Sequence, residues 1–180
     1  MAYIHNLVAS TLVIIFVAFA CTNVTAANLS GAICARAPHP PKCMEALRSD
    51  PRSKTASLVG LAVIAIEAST KQAKVTRGLV QTLLRSAKNP RLRSRYSSCL
   101  ENYEDSIDAL GRCLEFLKNK EYASLDSYAS AALDSPVTCD DDFEEPPVES
   151  GKLKAASAKL QDFCDVILIV SSKLSGRKVE

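Results

Sequence analysis

The chain has no tryptophan, and its 180 residues include only five tyrosines, five phenylalanines and two histidines. A core without large ring systems must rest on Leu, Ile, Val and Ala. The shortage of histidine bears on chemistry. Beyond the apolar leader described below only His39 remains, so a Ser-His or Cys-His dyad has little to work with. GxSxG, a Gly-rich phosphate loop and HExxH are all missing. Carboxylate pairs exist, but on a helix face they more often solvate than catalyse. No catalytic residue is assigned, and the chain is expected not to be an enzyme. CxxC pairs are also missing, which with the lone His39 argues against zinc or another metal. A formal net charge of +2 gives no global field for nucleic acid or a membrane surface. Nothing in the pattern asks for a cofactor.

Strand signals are weak too, and helical periodicity fills the space. From about Thr55, Val59, Ala62, Ile66, Ala73, Val80 and Leu83 recur at helical spacing until Asn89-Pro90 breaks the pattern. A second helix is expected from about Arg93 to Asn119, with Cys99, Tyr103, Ile107, Leu110, Leu114 and Leu117 on one face. A third runs from about Tyr122 into the 140–143 region, with Tyr122, Leu125, Ala129 and Ala132 inside and Pro146-Pro147 as the stop. A fourth runs from about Ser150 to Leu174, with Leu153, Leu160, Phe163, Cys164, Ile167 and Leu174 on its apolar side. Its run Val166-Ile167-Leu168-Ile169-Val170 is β-branched but continues the helical stripe. Four helices with short connections predict an all-α, up-down-up-down four-helix bundle.

Residues 1–27 have the pattern of a cleaved secretory signal peptide. An apolar stretch from Leu7 to Ala20 is too short to span a bilayer, and small residues at 24–27 follow it. The leader departs from the usual pattern in having neither Lys nor Arg before the apolar stretch. Residues 28–180 then form one domain, large enough to bury a core. Asn28-Leu29-Ser30 is a glycosylation sequon at the expected mature terminus.

Loss of the leader removes Cys21 and leaves Cys34, Cys43, Cys99, Cys113, Cys139 and Cys164. In an oxidising compartment six cysteines allow 15 connectivities, and spacing alone does not choose among them. Cys34 and Cys43 flank Pro38, Pro40 and Pro41, which split residues 28–52 into two short helical pieces. A bridge between them would close a hairpin, worth about 3 kcal/mol. A Cys99–Cys139 bridge would tie the second helix to the end of the third, worth roughly 4 kcal/mol. Cys113 and Cys164 lie on apolar helix faces. They either bridge helix to helix or stay free, and free is favoured because buried cysteine commonly serves as a small hydrophobe.

The second helix also carries Glu101, Asp105 and Asp108 at i, i+4 and i+7, beside the apolar stripe. Like charges at this spacing oppose helix formation slightly. An ordinary solvated face is the commoner origin of such a triad. The alternative is a docking surface for a partner carrying Lys or Arg. A second acidic run, Asp140 to Asp142 with Glu144 and Glu145, follows Thr138-Cys139. If Cys99 and Cys139 are bridged the two clusters come together, which strengthens the docking reading. Lys88, Arg91, Arg93 and Arg95 form a basic run without interleaved aromatics, expected to be a solvated connector.

Taken together, these residues resemble the plant invertase and pectin methylesterase inhibitors. The resemblance spans Leu29 to about Ser175. It rests on Ile33-Cys34 with Cys43, Leu47 to Ser53, Arg95-Tyr96-x-x-Cys99-x-Glu101-Asn102-Tyr103, Asp105-x-Ile107-Asp108, Tyr128 to Ala132, and Thr138-Cys139 with the acids and Phe143 after it. The chain is most similar to the fruit-type pectin methylesterase inhibitors. The resemblance implies an N-terminal α-hairpin (28–53) ahead of the bundle (54–175), with bridges Cys34–Cys43 and Cys99–Cys139. It makes Cys164 the unpaired cysteine, while Cys113 departs from the family pattern. It implies a secreted cell-wall protein that forms a reversible one-to-one complex with plant pectin methylesterase and covers the pectin-binding cleft. The contact positions would be Glu101, Asp105, Asp108, Thr138 and Asp141.

Two other functions compete. Inhibition of a plant acid invertase is the alternative within the same family. Invertase-side members often carry Pro-Lys-Phe near the connection after the second helix, where this chain has Lys118-Asn119-Lys120-Glu121-Tyr122. A small apolar-ligand carrier is the third reading, disfavoured because the apolar stripes look filled.

Overall fold

The computed structural model describes residues 29–176. The expected leader, Cys21 and the sequon's Asn28 lie outside them. Residues 29–34 form a short helix, α1. Six elements follow: α2 (Pro40–Arg48), a 3-10 turn (Pro51–Lys54), α3 (Leu58–Ser86), α4 (Pro90–Asn119), α5 (Tyr122–Asp141) and α6 (Gly151–Leu174).

Local sequence explains most of the boundaries. Ser57 opens α3, its Oγ accepting from the Gly60 amide at 3.2 Å. Asn89 opens α4, its Oδ1 accepting from the amides of Arg91 and Leu92. Pro90 then sits at the first helical position, where no donor is needed. The α4 terminus is a Schellman turn. Lys120 takes φ 61°, and the Glu121 amide reaches back to the Phe116 carbonyl at 2.9 Å. Ser150 opens α6, its Oγ accepting from the Leu153 amide.

Helices α3 to α6 form a closed ring, each packed against two neighbours, with α6 returning to α3. The all-α bundle predicted from periodicity is therefore observed. Its centre is aliphatic: Leu61, Ile66, Leu110, Leu125, Leu153, Leu160 and Ile167 are fully buried, together with Tyr103. Helix α2 lies against α6 and α3. At its start His39 Nδ1 is 2.9 Å from Asp162 Oδ1 of α6. The Cys34–Cys43 bridge joins α1 to α2, and Cys99–Cys139 joins α4 to α5. Cys113 and Cys164 are free and buried, and burial pushes both thiols up to about 12.

Several sequence-based expectations are corrected. Val59 and Leu114 are 43% and 40% exposed and lie outside the core. Val59 is in the first turn of α3, and at 114 the stripe steps by three to Cys113 rather than by four. Helix α3 starts at Leu58, where the Ser57 side chain caps it. Helix α4 begins three residues before Arg93. Pro40 and Pro41 are the first turn of α2 rather than loop. Helix α5 ends at Asp141, within the 140–143 region expected for it, although it contains Pro136. That proline cannot donate to the Ala132 carbonyl, and Ser106 Oγ of α4 donates to it instead at 2.9 Å. A buried hydroxyl thus ties α4 to α5 at the point where the α5 ladder is interrupted.

Candidate protein-binding face

The ties that set the α4–α5 register include the Cys99–Cys139 bridge and the Ser106–Ala132 hydrogen bond. Each step forward on α4 is matched by one step back on α5. Glu101 therefore lies level with Val137, beside Thr138, while Asp105 and Asp108 lie level with Leu133 and Ser130. Asp141 lies level with Ser97. The carboxylates from Asp141 to Asp108 are spread along a strip about 16 Å long, at 1.5 Å per helical residue. All five predicted contact residues, Glu101, Asp105, Asp108, Thr138 and Asp141, are exposed.

The strip is also electrostatically unspent. Among the described residues Glu101, Asp105, Asp108 and Asp141 form no ion pair. Glu104, on the same helix, accepts from Arg77 Nε at 2.9 Å and is spoken for. Asp105 and Asp108 border a shallow groove with Gly111, Tyr128 and Ala131, and Lys74 and Arg112 stand at its edge. Thr138 donates its hydroxyl hydrogen to the Asp134 carbonyl at 2.9 Å, leaving its oxygen to accept from outside.

The second acidic cluster divides. Asp140 turns inward, 100° around α5 from Asp141, and accepts from Ser157 Oγ and Gln161 Nε2 of α6, each at 2.8 Å. It ties α5 to α6 and does not belong to the exposed patch. Burial pushes its carboxyl above the usual range, and the two hydrogen bonds offset this in part. Nearby, burial and then the charge of Asp140 push Glu149 up to about 7, with Lys154 opposing. Burial and the neighbouring Asp162 push Asp165 on α6 up to about 6, with His39 opposing.

These shifts have one sign. A carboxyl whose pKa is raised in the fold holds its proton more tightly folded than unfolded, so its contribution is complete at low pH and is lost as pH rises through the folded pKa. Glu149 and Asp165 place that loss between about pH 4 and 7. Asp50, lowered by its hydrogen bonds to Arg52, acts oppositely, but only below pH 4. The melting temperature is expected to fall by a few degrees from pH 5 to pH 8, an amount held down by partial solvent screening of Glu149. Glu149→Gln should flatten the profile. A melting temperature that rises over this range would contradict the assignment.

The basic run before Cys99 is not a solvated connector. Arg95 donates to the Glu145 and Pro147 carbonyls, and Arg91 to the Pro146 carbonyl. Both hold the segment between α5 and α6. Arg93 approaches the Leu84 and Ala87 carbonyls at 3.5 Å. The only sequence signal for this clamp was Phe143, an aromatic residue placed in an otherwise acidic run.

Residues 28–170 match the family described as plant invertase/pectin methylesterase inhibitor. A pectinesterase inhibitor from Actinidia deliciosa is 42% identical over 151 residues, covering 84% of this chain and 82% of that protein. A putative invertase inhibitor from Platanus acerifolia is 30% identical, covering 74% of each. Among solved structures, a mutant form of a pectin methylesterase inhibitor from Arabidopsis superposes with a TM-score of 0.71 at 27% identity. The match covers 78% of this chain and 93% of that one.

Proposed function

The chain belongs to the plant invertase/pectin methylesterase inhibitor family, and on that footing we propose that it inhibits plant pectin methylesterase by forming a reversible one-to-one complex over the substrate cleft. It acts as a binding protein and not as an enzyme. The observation that carries the reading is the unpaired carboxylate strip of Glu101, Asp105 and Asp108 on α4, continued by Thr138 and Asp141 on α5. Lys and Arg at a cleft rim would meet acceptors that form no ion pair among the described residues. Exclusion of pectin would then be steric, with charge steering the approach. The 42% identity to the Actinidia inhibitor supports the esterase as target.

Residues 28–180 would be the secreted form, a single inhibitor domain of hairpin (28–53) and bundle (54–175) acting in the cell wall. Two disulfides support an oxidising destination, and no described helix is long and apolar enough to cross a membrane. Inhibition of an acid invertase is the second reading, carried by the Platanus relative. The segment from Lys118 to Tyr122 lacks the Pro-Lys-Phe that favours it. Purified protein mixed separately with a plant pectin methylesterase and a plant acid invertase decides between them. The expected result is residual esterase activity that falls with a one-to-one titration end point and invertase activity that does not change. The reverse pattern would transfer the assignment.

A further inference from the structure

One set of contacts outside the core belongs to a residue with no part yet in the proposed complex. Arg95 Nη1 donates to the Glu145 carbonyl at 2.7 Å and the Pro147 carbonyl at 2.6 Å. The same guanidinium lies 5.5 Å from the centroid of the Phe143 ring. Phe143 is 5% exposed, and its other neighbour is Tyr96, with ring centroids 5.4 Å apart. One turn earlier on α4, Arg91 Nη1 donates to the Pro146 carbonyl at 3.2 Å. Two arginines on successive turns thus hold three consecutive carbonyls of a segment without secondary structure. Guanidinium suits this task, because one of its NH2 groups can donate to two acceptors while the face or edge of the planar group rests on an aromatic ring.

Cys139 is held to α4 by its disulfide, but α5 continues for two residues to Asp141. Beyond it the next fixed point is Phe143, under Arg95. Asp140, tied to Ser157 and Gln161 of α6, holds the helix up to the residue before Asp141. Asp141 therefore stands between that tie and Phe143, and without the second its own backbone would be free to fray. A surface held in its bound geometry before contact loses less entropy on association. We propose that Arg95 is a positioning residue for inhibition: by holding Phe143 and the carbonyls after it, it fixes the end of α5 and sets where Asp141 stands. This rests on the reading of the α4–α5 face given above.

The test is a double-mutant cycle of Arg95→Ala with Asp141→Ala, read as inhibition of a purified plant pectin methylesterase, with melting temperatures alongside. Arg95→Ala is expected to weaken inhibition about tenfold, the size of coupling found between residues in one network. Adding Asp141→Ala should then cost little more, because the carboxylate is already misplaced. Arg95→Lys should recover only part of the loss, since an ammonium can donate to the carbonyls but lacks the planar group that lies against the Phe143 ring. Unchanged inhibition by Arg95→Ala overturns the proposal, and so do losses that multiply across the cycle, because a merely structural role would leave the two sites independent. Where the alanine variant fails to fold, Arg95→Lys carries the cycle. Asp105→Lys with Asp108→Lys is measured in parallel. Full inhibition by that variant removes the face itself, whereas its failure to inhibit beside a multiplicative cycle removes only the role of Arg95.

Discussion

Asp105→Lys combined with Asp108→Lys is expected to weaken inhibition of pectin methylesterase at least 100-fold while leaving the bundle folded. Both side chains are exposed, and neither forms an ion pair among the described residues, so little native structure depends on them. Surface changes of this kind usually alter stability by about 0.5 kcal/mol or less. At position 105 the change even removes an i, i+4 repulsion with Glu101. Position 108 lies near Lys74 and Arg112, so a new lysine there meets like charge, a small cost in water. The effect on binding should be far larger. Each substitution replaces attraction to a basic rim by repulsion, and close interfacial charge pairs couple by about 1.5–7 kcal/mol. A loss of 100-fold corresponds to about 2.7 kcal/mol, at the low end of what two reversals can produce. Circular dichroism and melting temperature check the fold, and esterase titration checks the inhibition. An inhibition constant within about threefold of the wild type would place the contact face elsewhere.

The sequence made the exposed half of this site legible and concealed the other half, for a geometric reason. Glu101, Asp105 and Asp108 could be assigned to one helix face because the apolar stripe of Tyr103 and Leu110 fixes the phase of α4. Asp140, Asp141 and Asp142 are identical in sequence, yet successive helical residues point 100° apart. Only the packing of α6 against α5, with Ser157 and Gln161 in reach, shows that Asp140 is structural and Asp141 is not. Arg91 and Arg95 were misjudged for a similar reason. Their partners are backbone carbonyls some 50 residues away, and backbone acceptors leave no signature in residue type. The core was legible wherever long stretches kept one period, as along α6. It failed at Val59 and Leu114, where a helix end or a three-residue step shifts the phase by less than one turn. Pro136 within α5 would ordinarily argue against a continuous helix. The helix survives because Ser106 supplies the donor that the proline lacks, a compensation lying on a different element.

Removing the Cys99–Cys139 bridge as a pair of alanines is expected to destabilise the protein by about 4 kcal/mol and to impair inhibition, whereas removing Cys34–Cys43 should cost less and leave inhibition largely intact. The first part follows from loop length. The two bridges close loops with sequence separations of 40 and 9, and the entropy lost by the unfolded chain grows with the logarithm of that number, giving about 4 and about 3 kcal/mol. In a domain of this size the larger figure corresponds to a melting temperature lower by roughly 8–16 °C. The second part follows from position. Helix α2 packs on α6 and α3, away from the face between α4 and α5, so loosening the hairpin does not move Asp105 or Thr138. Cys99–Cys139, in contrast, ties α4 directly to α5, as do the Ser106 hydrogen bond and the Phe116–Tyr128 ring contact. Without it, Ser106, that ring contact and the aliphatic core must hold Glu101 beside Thr138 unaided. Thermal unfolding and esterase titration of the two variants, both at a temperature where each is folded, separate the contributions. Equal inhibition by both would mean that the α4–α5 register is already secured by packing, and that the longer staple serves stability alone.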